Sequence, residues 1–143
     1  MGIEEEKMGL KEGLRNIIGI EESFLYEKMS TTTLPEGLRF LPEESILMAF
    51  QTVEEKKIRQ IFFTSMCIIC NVNVENAVNE YEVIGYHRIR YYKVNVATKE
   101  ITLYFSGEFG FFETGVNEIS AMFSEEDFYQ VELLLREKVA SRN

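Results

Sequence analysis

From Ser45 to Gly115 the apolar residues fall in short runs, some continuous and some alternating with polar residues, and each run stops at a turn signal. Runs of this length and punctuation predict strands. Seven are expected, near residues 46–53, 58–63, 66–72, 79–84, 89–96, 101–105 and 109–113. The clearest alternation sets Ile101, Leu103 and Phe105 on one face against Thr102 and Tyr104 on the other. The period then changes to a helical one. Phe128, Val131, Leu134, Leu135 and Val139 form an apolar stripe over 125–139. Ser124-Glu125-Glu126-Asp127 resembles a capping box at its start, and Arg136, Lys138 and Arg142 lie towards its end, so charge and pattern agree on direction.

Ahead of the strands, Met8, Leu10, Leu14, Ile17 and Ile18 recur at mostly helical spacing, which predicts an amphipathic helix over 4–18. Gly9 and Gly13 each weaken it by up to about 1 kcal/mol, so it needs a surface to pack on. Residues 20–29 read as a second short helical turn carrying Phe24, Leu25 and Met29. Residues 30–37, with Pro35 and Gly37, read as a linker. The organisation expected is a helical extension and linker over 1–37 and a folded domain over 38–143. Its fold class is mainly β or α+β: a seven-stranded, two-sheet barrel or sandwich closed by a C-terminal helix.

Charge narrows the partners. The chain of 143 residues carries 24 acidic and 15 basic residues, a formal charge of −9, which opposes attraction to nucleic-acid phosphates and anionic membranes. No window is long and apolar enough to cross a bilayer, and the acidic Glu4-Glu5-Glu6 is unlike a signal peptide, so a cytoplasmic protein is expected. The charge is uneven. Residues 57–99 hold six Lys and Arg against three Glu, whereas residues 100–143 hold three against nine acidic residues.

Cys67 and Cys70 have the spacing of a redox pair or half a zinc site. On a strand, positions three apart point to opposite faces, so their sulfurs diverge. A zinc site would need two more ligands, and His87 is the single histidine. Both are read as structural thiols, with no metal and no cofactor expected.

Several short segments resemble bacterial pleckstrin-homology-like (PH-like) domains. Leu41-Pro42-Glu43-Glu44-Ser45-Ile46 is similar to their Leu-x-Gly-Glu lead-in to the first strand. Ile61-Phe62-Phe63-Thr64 resembles the second strand ending in Thr, and Tyr86-His87-Arg88-Ile89 resembles an Ile-Pro-Tyr-x-x-Ile turn. Gly9-Leu10-Lys11-Glu12-Gly13-Leu14 is like the short glycine-bearing helix some of them carry in front. Ser65-Met66-Cys67 stands where the family usually has Lys or Arg, Glu44 replaces the glycine, and Gly85 replaces the proline. The resemblance covers 38–139 and implies seven strands in two packed sheets with one terminal helix. Its functional implication is modest: such domains are mostly of unknown function, and some assemble into oligomers.

Tyr86-His87-Arg88-Ile89-Arg90-Tyr91-Tyr92-Lys93 gathers cations and rings in an acidic chain. Arg88, Arg90 and Lys93 are candidate contacts for an anion or a partner, with Arg88 and Arg90 sharing a strand face if the strand starts early. The plainer reading makes them solvated charges, with Ile89 and Tyr91 turned inward. His87 lacks a nucleophile or orienting partner and reads as a turn residue. Glu125-Glu126-Asp127 reads as helix capping and not as a calcium site. At least one of Phe111 and Phe112 must face away from the core of a regular strand, which makes the pair a candidate aromatic contact.

No catalytic set is legible, and the leading expectation is a non-enzymatic interaction module that binds a protein partner or itself as a homo-oligomer. It would assemble through strand edges or through the 4–18 helix. Two alternatives stay open: a small acidic chaperone or escort for another protein, and a module binding anionic membrane headgroups through Arg88, Arg90 and Lys93.

Overall fold

The computed structural model describes residues 24–53, 58–72, 79–105 and 118–142. The helix expected over 4–18, the strand over 109–113 and the pair Phe111 and Phe112 lie outside them. The described strands are β1 (Tyr26–Lys28), β2 (Ile46–Thr52), β3 (Gln60–Thr64), β4 (Cys67–Cys70), β5 (Glu82–Gly85), β6 (Ile89–Asn95), β7 (Glu100–Phe105) and β8 (Glu118–Met122), followed by helix α1 (Glu125–Lys138). They form two antiparallel sheets, one in the order β1-β2-β3-β4-β5 and one in the order β6-β7-β8. A parallel bridge between Leu25 and Met122 joins the sheets on one side, and a 3-10 turn over Tyr86–Arg88 carries the chain between them on the other.

The core lies between the sheets. Phe50 is fully buried there, with ring centroids 4.9 Å from Phe123 and 6.1 Å from Phe63. Helix α1 adds Phe128, Val131 and Leu135 from the face that its stripe predicts, and the Ser124 hydroxyl accepts a hydrogen bond from the Asp127 N–H at its start. The filled interior leaves a cavity of only about 10 Å³, lined by apolar residues including Phe63, Leu103 and Val131. That is about the least space a single water requires.

β3 and β4 read as continuous apolar runs because both of their faces are covered. Ile61, Phe63 and Ile68 point to the main core, while Ala49, Phe62 and Ile69 form a second cluster with Met29, Leu34, Ile46, Cys67 and Tyr81. The two cysteines are free and part as strand geometry requires. Cys70 is in the main core and Cys67 sits with the second cluster.

Three expectations are corrected. Residues 26–28 of the expected helical turn are strand β1, paired in register with Phe50–Thr52. A segment this short cannot sustain a helix nucleus, and pairing with β2 satisfies its backbone while the Tyr26 ring is buried against Phe123. The sheet therefore begins ahead of the linker at 30–37, and that stretch lays Leu34 on the second cluster. β8 was not expected at all, although Ile119 and Ala121 alternate with Glu118 and Ser120. Finally, Tyr91 does not point inward. The register of β6 on β7 shifts between Ile89 and Tyr91, and this bulge reverses the alternation beyond it.

Candidate functional site

That bulge decides what the basic cluster presents. Ile89 is buried, Arg90 is the extra residue, Tyr91 then pairs with Tyr104, and Tyr92 pairs with Leu103 on the core side. Tyr91 is 48% exposed and stacks on Tyr104 with ring centroids 4.6 Å apart and planes 15° from parallel. Arg90 and Lys93 are exposed on β6, whereas Arg88 is half-buried in the preceding turn, so Arg88 and Arg90 do not share a strand face. Lys93 Nζ lies 5.5 Å from the centre of the Tyr104 ring, and Glu118 stands opposite Tyr104 on β8. Burial and then Glu118 raise the Tyr104 hydroxyl pKa, partly offset by Lys93. The result is a cation and aromatic face with acidic neighbours, not a bare cationic patch.

Tyr92 reaches α1 instead, donating to Glu132 Oε2 at 2.9 Å, and Glu132 also pairs with Arg136. Burial first, and Glu132 next, push the Tyr92 hydroxyl up to about 12. His87 is exposed in the 3-10 turn, its ring folded over Gly85 so closely that a Cβ there would lie 2.5 Å from Cε1. Glycine at 85 is what admits this approach. Among the described residues no group of three or more His, Cys, Asp or Glu is placed to hold a metal ion, and no helix is long and apolar enough to cross a membrane.

A second constellation is tighter, and sequence reasoning did not assemble it. Three of the four segments that carry the family resemblance meet at Thr64. Its hydroxyl donates to Glu44 Oε2 at 2.7 Å and accepts from the N–H groups of Met66 and Cys67 at 3.1 and 3.0 Å. Its carbonyl accepts from the Tyr86 hydroxyl at 2.7 Å. Glu44 Oε1 accepts the Leu41 N–H at 2.9 Å, and Lys138 of α1 donates to the Ser65 carbonyl at 3.2 Å from above the Tyr86 ring. The available signal was one polar residue at the edge of each short motif; their convergence depends on chain paths that no local pattern reveals.

The electrostatics of this knot make it a fastening. The Leu41 N–H and then the Thr64 hydroxyl hold the Glu44 carboxyl below its ordinary value. Burial, with Glu44 adding to it, raises the Cys67 thiol pKa, so at neutral pH it stays protonated and is a poor nucleophile. Thr64→Val keeps the shape but strands two N–H donors, and is expected to cost about 2 kcal/mol, read as a lower urea midpoint with an unchanged slope. Thr64→Ser should recover most of it. Because the Glu44 pKa is lowered on folding, its stabilisation is complete above the ordinary 4.5 and lost as pH falls through the depressed folded value. Glu44→Gln should therefore flatten the acid limb of a stability-against-pH curve.

An open groove of about 360 Å³ runs between Lys28–Thr32 and Ile46–Ala49, where β2 extends beyond the three residues of β1. Leu47, unpaired at a register shift, is exposed along it.

No protein-family model matches the chain, and no curated protein matches it. Among solved structures the chain is similar to a DUF1696 family protein with a pleckstrin-homology domain from Shewanella loihica PV-4. The TM-score is 0.50 at 14% identity, covering 68% of this chain and 81% of that one. The fold is that of a bacterial PH-like domain.

Proposed function

We propose that this PH-like chain is a non-enzymatic interaction module whose working surface is the outward side of β6, and that it engages a protein partner or another copy of itself. The observation that carries this reading is the exposed set Arg90, Tyr91 and Lys93 on a strand that, among the described residues, lies at the edge of its sheet. An edge strand offers unpaired backbone groups to a second chain, while the bulge and the cations limit indiscriminate pairing. The core is filled by side chains, so recognition falls to the surface.

Acidic residues crowd the end of the chain, including Glu125, Glu126 and Asp127 in the first turn of α1. Charge complementarity between that end and β6 of a second copy favours a head-to-tail contact. Light scattering coupled to size exclusion on the full chain, at low and moderate salt, tests this. A defined oligomer that dissociates on Arg90→Glu with Lys93→Glu is expected. A monomer at every concentration and salt, whose β6 variants bind cellular partners as the parent does, would refute the reading.

A further inference from the structure

Helix α1 buries one stripe and, among the described residues, leaves another uncovered. Glu126, Tyr129, Leu133 and Glu137 recur every three or four residues along the side opposite Phe128, Val131 and Leu135. Tyr129 is 52% and Leu133 59% exposed, and Glu126 and Glu137 are exposed at the two ends of this stripe. The apolar surface continues onto the β6–β7 turn: Lys99 Nζ lies 5.6 Å from the Tyr129 ring centre and donates to the carbonyl of Val96, itself 66% exposed. It is an apolar strip with acid at both ends.

The segment over residues 4–18 has the matching pattern in sequence. Leu10, Leu14 and Ile17 recur on one helical stripe, and Lys7, Lys11 and Arg15 follow four residues apart on the stripe beside it. Three features favour this segment over other occupants. Gly9 and Gly13 leave it too weak a helix to persist without a surface. On the stripe beside its apolar residues three cations outnumber the single Glu4, and they complement the acidic ends of the strip. The chain also enters the described fold at the right place: the Phe24 carbonyl accepts from the Met122 N–H, two residues before the Ser124 cap, and Lys28 Nζ reaches Gln130 of α1 at 3.1 Å. The residues between Ile18 and Phe24 can span about 20 Å, and a helix the length of α1 is about 21 Å long.

We propose that residues 4–18 dock as an amphipathic helix on the Tyr129 and Leu133 face of α1 in the same molecule, apolar stripe on apolar strip, with Lys7, Lys11 and Arg15 towards Glu126 and Glu137. The short tether makes the encounter intramolecular, at an effective concentration on the order of millimolar. This docking does not rest on the role assigned to β6; the two share Glu126, and Leu133→Lys, which leaves the acidic first turn of α1 intact, separates them.

Hydrogen exchange of the full chain, read peptide by peptide at two protein concentrations, tests it. The amides of 7–18 should exchange about tenfold or more slowly than in an unstructured chain, at the low-stability end of the molecule, and equally at both concentrations. Leu133→Lys should abolish that protection while the far-UV circular dichroism of the sheets stays unchanged. Glu126→Lys with Glu137→Lys should weaken it, and Lys7→Glu with Lys11→Glu in the same chain should restore it, a rescue that a merely structural defect would not show. Exchange of 7–18 at the unstructured rate overturns the proposal. So does protection that survives both Leu133→Lys and the charge reversal, and protection that grows with concentration would assign the strip to a second copy instead.

Discussion

Phe50→Ala is expected to lower the stability of the protein by about 3–5 kcal/mol, the largest effect of any single truncation in the core. Phe50 has no exposed surface, and its ring contacts Phe63 on β3 and Phe123 just before α1, so one side chain ties the larger sheet to the start of the helix. Truncation removes the buried area and leaves a void that rings anchored on different elements cannot close together. A single domain of this size has about 5–15 kcal/mol in total, so the variant should be partly unfolded well below the melting temperature of the parent. Urea unfolding followed by circular dichroism checks this, with Phe50→Leu expected to lose much less because it keeps most of the volume. A loss below about 1 kcal/mol for Phe50→Ala would mean that the site is not closely packed.

The second large effect is alkaline unfolding. Cys70 is fully buried in the main core, and burial, with Glu82 adding to it, pushes its thiol from 9.0 up to about 12. Tyr86 and Tyr92 shift upward as well, burial being the main cause in both. In each case the folded state holds its proton more tightly than the unfolded state does. Their contribution is therefore complete below pH 9 and is lost as pH climbs through the raised folded values. For Cys70 alone the shift corresponds to a few kcal/mol, at about 1.4 kcal/mol per unit. Thermal melts between neutral pH and pH 11 should show a melting temperature that falls steadily above pH 9, and Cys70→Val should make the first part of that fall shallower. A melting temperature level to pH 11 would mean that the thiol and hydroxyls are more accessible than their burial indicates.

Much of the architecture is readable one segment at a time. α1 is clear because its stripe, its Ser124 cap and its end charges are all local features that point the same way, and Ile101 to Phe105 alternates cleanly because one face of β7 is core and the other is not. β1 is not readable: three residues carry no period, and only pairing with Phe50–Thr52 makes them a strand. The reversal of Tyr91 is equally hidden, since a bulge is a relation between two strands and leaves no mark on either alone. The candidate surface was half legible. Arg90 and Lys93 stand out by composition and are exposed, but Arg88 falls in a turn, and the polar knot around Thr64 escaped because its members come from four separate stretches of chain.

Local sequence by itself determined the order of most elements, the direction of the last helix and the opposite faces of Cys67 and Cys70, because each follows from side-chain pattern along a few consecutive residues, while the PH-like resemblance rested on short motifs. Only the tertiary structure decided that Tyr26–Lys28 is a strand, that Tyr91 faces out, and that Glu44, Tyr86 and Lys138 converge on the turn after Thr64. Those features exist only once distant segments share hydrogen bonds and a core, and the free energy of that shared burial overrides the weak preferences of a short segment.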